Sequence, residues 1–211
     1  MMDDLQEQIN RIKEKLATLK SLDTNLSSFG VQKHKYELNP TISESEIEDF
    51  EKTYQISLPL GYREFLKQVG NGGAGPYYGL ESLEDSRYVD LDYKGDNFVD
   101  ISQPFMLSDY WNPIQDIDNQ EEYEAYQEEY MHDKWINGMI KLSNFGCGVF
   151  IHLVVNGKEY NNIWVDDRGN DAGIYPDYYL SKDDQRIDFL SWYEAWLDEY
   201  IANNSKKKKK K

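Results

Sequence analysis

The sequence predicts an α+β fold: a single domain in which helices pack on an antiparallel, meandering β-sheet. Three observations carry this. Apolar residues recur at steps of three and four over residues 5–20 and 43–69, and again over 185–204, the spacing of one helix face. From Gly138 to Asp167 the pattern changes to short apolar runs broken by turn residues, the signature of strands. The order is helices, then a sheet, then a closing helix, so the two kinds of element are segregated along the chain.

Leu5, Ile9, Ile12, Leu16 and Leu19 form one stripe on the first helix. Two heptads are too few for a coiled coil, so the stripe is expected to pack on its own domain. Residues 21–38 read as an irregular connection. Ser43, with Glu46 three residues on, is a capping-box start for a helix carrying Ile47, Phe50 and Tyr54. A further helix starts near Pro59, buries Tyr62, Phe65, Leu66 and Val69, and stops at Gly70. In "GNGGAGPYYGL" after it, Asn71–Gly72–Gly73 supplies positive φ for a sharp reversal and delivers Tyr77 and Tyr78 to the core or to a surface.

The middle is less regular. "SRYVDLDY" reads as a short strand and "QPFMLSDYWNP" as a loop. "NQEEYEAYQEEYMHDKW" reads as a helix with Tyr123, Tyr126 and Tyr130 on one face and glutamates on the other. "MIKLSN" is a strand, and "GVFIHLVVNGKEYNNIWVDD" a strand pair joined by a turn at Asn156–Gly157. Alternation puts His152 opposite Ile151, Leu153 and Val155. The last helix carries Leu190, Tyr193, Leu197 and Ile201 on one side. This gives an N-terminal helical extension at 1–39, the main domain at 40–203 and a disordered lysine tail at 204–211.

The 211 residues carry a net charge of −16. Without the six lysines at 206–211 the balance is 17 basic residues against 39 acidic ones, −22 over 205 residues. Binding to nucleic acid needs the opposite sign; a basic protein partner suits this field. Cys147 is the single cysteine, so no intrachain disulfide forms. The N-terminus has no signal-peptide pattern and no stretch reaches the ~20 apolar residues of a membrane span. The expectation is a cytoplasmic protein with no membrane association.

The glycine-rich stretch first suggests a phosphate loop. Such a loop follows a strand and leads into a helix, with a Lys-Ser/Thr pair at its end; here a helix precedes it and no such pair follows. Cys147, between Gly146 and Gly148 before an apolar strand, is expected to be a buried, inert thiol. His34, His132 and His152 stand singly, without a partner at metal-ligand spacing. "VDDRGNDAG" faintly resembles a calcium loop but has the wrong spacing and follows a strand, so a polar turn is expected. No catalytic residue, cofactor or metal site emerges.

"ISESEIEDFEKTYQISLPLGYREFLKQVGNGGAGPYYGL" resembles the core of the Smi/Knr family of the SUKH superfamily, through Ile56 to Pro59, Tyr62, Phe65, Leu66 and Asn71–Gly72–Gly73. "LSNFGCGVFIHLVVNGKEYNNIWVDDRGNDAGIYP" is similar to its second block and "FLSWYEAWLDEYI" to its closing helix, so the likeness spans roughly 40–202. The chain departs from the pattern at Asn161–Asn162, where a glycine is frequent, and in a long acidic insert at 110–135. The resemblance implies an α+β fold without catalytic residues and, for the bacterial immunity type, binding and neutralisation of a cognate polymorphic or contact-dependent toxin domain, often a nuclease with a basic cleft. It equally allows a regulatory or scaffolding module without a toxin partner. For a basic partner, the expected contacts are acidic and aromatic: Tyr77, Tyr78, Asp116, Asp118, Glu121, Glu122, Glu128, Glu129, Asp166, Asp167 and Asp171.

Overall fold

A computed structural model describes residues 2–89, 97–115, 117–180 and 185–208. Among these the helices are α1 (Met2–Leu22), α2 (Val31–His34), α3 (Glu44–Tyr54), α4 (Leu60–Gln68), α5 (Gln120–Tyr130) and α6 (Phe189–Lys208). The strands are β1 (Met139–Gly146), β2 (Val149–Val154), β3 (Ile163–Asp166) and β4 (Ile174–Pro176), an antiparallel sheet in the order β1-β2-β3-β4. The α+β fold is thus present, with the sheet a meander.

Local signals hold where they are complete. Ser43 Oγ accepts from the Glu46 N–H and Glu46 Oε2 from the Ser43 N–H, the capping box of α3. Glu44 and Glu51 of α3 pair with Arg63 of α4. Gly70 follows α4, but not in the left-handed region: a Cβ there would sit 2.8 Å from Asn39 O, so the position needs glycine for close approach. Gly72 and Gly73 do take positive φ, +90° and +93°. The corner they form extends the sheet beyond β1 through single bridges, Ser143 to Leu80, Leu80 to Gly73 and Gly73 to Leu38.

The α1 stripe of Ile9, Ile12, Leu16 and Leu19 lies in the same core as Phe65, Ile151, Trp164 and Trp192. Its seam is with α6: Glu194 accepts from Gln8, Arg11 and Lys15, and Lys15 also pairs with Asp198 at 2.6 Å. Helix α6 buries two faces, not one. Leu190, Tyr193 and Leu197 are joined by Phe189, Trp192 and Trp196, while Ile201 is only half-buried.

Several expectations change. Residues 31–34, within the expected irregular connection, form α2. Of the short strand expected at 86–93, Ser86 and Arg87 lie in the 3-10 turn Asp85–Arg87 and Tyr88 bridges Phe98 in antiparallel fashion, while residues 90–93 lie outside the described set. Of the disordered tail expected at 204–211, residues 204–208 continue α6, with the buried Asn204 donating to Ser28 Oγ and Lys207 reaching Ser27 Oγ, and residues 209–211 lie outside the described set. Asn156–Gly157 does not make a two-residue hairpin. Residues 155–162 connect β2 to β3, and Asn156 O instead accepts from the Phe105 N–H at 2.9 Å. Tertiary docking of the 102–105 segment overrides the local turn preference.

His152 does lie opposite Ile151 and Leu153, in a cross-strand row with Lys141 and Trp164, yet it too is buried. Phe105 packs edge-on against Trp164 at 4.8 Å, closing that side of the sheet as well. Burial lowers the His152 imidazole to about 4 and does the same to His34. Both rings are therefore neutral in the native state, while the unfolded chain takes up protons near 6.5. Lowering the pH from about 6.5 towards 4 then favours the unfolded chain, and the loss is complete below the native value. Asp177, whose carboxyl burial raises, acts in the opposite sense. Urea titrations at pH 6.5 and 5 should show a smaller stability loss for His34→Gln/His152→Gln than for wild type. An unchanged loss would rule out buried neutral histidines.

Candidate protein-binding surface

The tyrosine pair divides. Tyr77, held at φ +58°, is half-buried, with its ring 4.6 Å from Phe145 and its hydroxyl buried. Burial, reinforced by nearby Asp177, raises that phenol well above its usual range. Tyr78 is 37% exposed and faces outward. Its N–H donates to Asn144 O, tying the corner to β1.

Asp166 does not belong to a contact surface. It is buried, and its two oxygens accept from Arg168 Nε and Nη2 at 2.8 Å each. A carboxylate committed to a buried guanidinium is unavailable to a partner, which corrects the expectation for this residue. Asp167 accepts from the Tyr175 hydroxyl at 3.1 Å and from Asn170 Nδ2 at 2.7 Å. Asp171 is exposed, at φ +58°, and accepts from the Tyr123 hydroxyl. The three carboxylates thus serve different partners, and among the described residues no three His, Cys, Asp or Glu side chains group as metal ligands.

On α5, Asn119 caps the N–H groups of Glu121 and Glu122. Glu121, Glu122, Glu128 and Glu129 are exposed, as is Asp118 just before the helix; Glu129 pairs with Lys134. Only Tyr130 of α5 is fully buried, stacked on Trp111 at 5.5 Å, so the helix shows most of its circumference to water. Asp116 lies outside the described residues.

These pieces meet around the β1–β2 turn. Gly146, Cys147 and Gly148 all have positive φ, at +105°, +51° and +78°. The turn therefore projects, and Cys147 is exposed on it rather than buried as its apolar neighbours suggest. Tyr78 covers Gly146, and Asn170 Nδ2 donates to Cys147 O at 2.9 Å. Tyr78, the β1–β2 turn, the 166–171 turn and α5 are consequently in successive contact.

Sequence reasoning missed the aromatics that complete this surface. Phe29 (48% exposed) lies 5.3 Å from Tyr78 and 5.5 Å from Phe145, and Tyr179 (62% exposed) stacks 6.3 Å from Phe145. Tyr178 stacks on Tyr175. The available signals were a lone phenylalanine in a Ser/Asn-rich segment and a second tyrosine doublet after Pro176–Asp177. The arrangement offers aromatic anchors beside an acidic helix, a composition suited to protein contact.

The family described as SMI1 / KNR4 family (SUKH-1) matches residues 41–200. No curated protein and no solved structure matches the chain. Among the described residues no helix is long and apolar enough to cross a membrane.

Proposed function

Because the chain belongs to the SMI1 / KNR4 family (SUKH-1) over residues 41–200, we propose that it is an immunity protein that binds and neutralises a cognate toxin domain of basic character in the cytoplasm. Family membership is the observation that carries this reading. The acidic balance of −22 outside the terminal lysines supports it, as does the exposed glutamate face of α5. An acidic field steers a basic partner and speeds its capture, which counts when the partner is lethal.

The test is co-expression and pull-down with the toxin domain encoded beside this gene. Protection of the host and a stable complex are expected; a toxin that kills equally with and without this chain, and does not bind it, sinks the reading. A second measurement addresses the acidic face. Changing Glu121, Glu122, Glu128 and Glu129 together to glutamine should slow association roughly tenfold at low salt and leave dissociation nearly unchanged. An association rate that is insensitive both to these changes and to salt would remove the acidic face from the mechanism.

A further inference from the structure

The chain has five arginines. Arg11, Arg63, Arg168 and Arg186 each pair with a carboxylate, that of Glu194, Glu51, Asp166 and Glu159 in turn. Arg87 is the exception: among the described residues its guanidinium has neither an ion pair nor a hydrogen-bond acceptor. It is nonetheless partly buried and clamped, with the guanidinium carbon 3.9 Å from the centre of the Tyr54 ring and 4.6 Å from that of Phe98. The backbone is fixed on both sides, Arg87 O accepting from the Val99 N–H and the Tyr88 N–H donating to Asp85 O. Stacking holds a guanidinium by its flat faces and leaves the N–H groups at its edge unspent. Arg87 lines a pocket of about 290 Å³ with Ile42, Phe50, Tyr54 and Phe98. Asn71 lines it too. Its Oδ1 accepts from the Leu83 N–H at 2.8 Å, and its Nδ2 has no acceptor among the described residues. Two carboxylates belong to the same wall: Glu46 is held in the capping box with Ser43, Glu84 is exposed, and neither pairs with Arg87.

We propose that this pocket binds a carboxylate with an apolar body, the acid group taken by the Arg87 fork and the Asn71 amide, the body lying against Ile42, Phe50 and Phe98. Two carboxylate oxygens match the planar fork, and a fork already immobilised between rings loses little freedom when it binds. The unspent donors select the occupant. A ligand without an acceptor would cover them and leave them unpaired, a cost that a carboxylate avoids. A cation would meet the fixed guanidinium. A phosphate dianion would meet Glu46 and Glu84 with twice the charge, so a monoanion suits this wall best. The volume lies just below the ~300–1,000 Å³ of drug-sized sites, so an acid the size of one side chain fills it. The site is independent of the immunity reading and is tested separately from it.

The experiment is an NMR titration of the full chain with sodium phenylacetate at constant ionic strength, following the Arg87 Nε–H and Asn71 Nδ2–H resonances. Both should shift together, with a dissociation constant roughly in the millimolar range for so small a ligand. Phenylacetamide, which keeps the shape without the charge, should bind roughly tenfold more weakly, and inorganic phosphate should also bind more weakly than phenylacetate. N-acetylphenylalanine distinguishes the source of the acid: tighter binding than phenylacetate assigns the pocket to a protein C-terminus, weaker binding to a free acid. Arg87→Lys keeps the charge and loses the fork, so it should weaken phenylacetate binding roughly tenfold, with circular dichroism as the control for folding. The wild-type titrations need no variant. An unmoved Arg87 Nε–H at tens of millimolar phenylacetate, equal binding of phenylacetamide, tighter binding of phosphate, or a folded Arg87→Lys variant that binds within about twofold of wild type each overturns the site. All of these leave the immunity reading untouched.

Discussion

Replacing Arg168 with alanine is expected to destabilise the fold by about 3–5 kcal/mol, read as a lower urea midpoint with an unchanged slope. Arg168 is 4% exposed, and its guanidinium makes two separate sets of bonds. Nε and Nη2 hold Asp166 at the end of β3, while Nη1 donates at 3.0 Å each to Tyr130 O, the last residue of α5, and to His132 O just beyond it. Removing it leaves a buried carboxylate without its counter-charge and two carbonyls short of a donor. The cost comes from stranded partners rather than from the worth of an ion pair, and this has a consequence. Arg168→Met combined with Asp166→Leu should recover part of the loss, because both charges go together. A double variant as unstable as the sum of the two single ones would show that the pair is not coupled in this way.

Gly30→Ala is expected to cost about 3 kcal/mol, seen as a fall in Tm of about 6–12 °C for a domain of this size. Two effects add. Gly30 sits at φ +75°, where an alanine is disfavoured by about 1–2 kcal/mol. A Cβ there would also lie 1.7 Å from Tyr77 O and 2.3 Å from Tyr77 C. Both are backbone atoms of the tyrosine corner, so no rotamer change relieves the clash, and forced repacking adds about 1–3 kcal/mol. The turn carrying Phe29 must move away from Tyr78. A melting temperature within 2 °C of wild type would mean the two turns are not in contact.

The sequence was most legible where a signal is complete within a few residues. Ser43 with Glu46 and Pro59 before its apolar stripe each state a helix start locally, and α3 and α4 follow. Legibility fails where a distant segment decides. Asn156–Gly157 has the dipeptide of a tight turn, but the Phe105 segment claims its backbone. Trp192 and Trp196 break the one-sided stripe of α6 because this helix is covered on more than one side. Asp166 reads as one of several acids in a polar turn until Arg168, two residues on, folds back onto it. Tyr78 is visible in sequence as a candidate anchor; Phe29, Phe145 and Tyr179 are not, since no local spacing joins residues that meet only after the sheet and both turns have formed.

The seam between α1 and α6 joins Arg11 to Glu194 across 183 positions of the chain, and it sets an order on biogenesis. On the ribosome α1 is made long before α6, and its Ile9–Ile12–Leu16–Leu19 stripe, which also shares the core with Phe65 of α4, is not fully covered until α6 is synthesised. During that interval the nascent chain carries an incompletely shielded greasy helix, the kind of segment that holdase chaperones recognise and that aggregates when they are scarce. Closure of so distant a pair is entropically slow. The complete core therefore closes only when synthesis has passed α6, not when the first domain-sized stretch emerges.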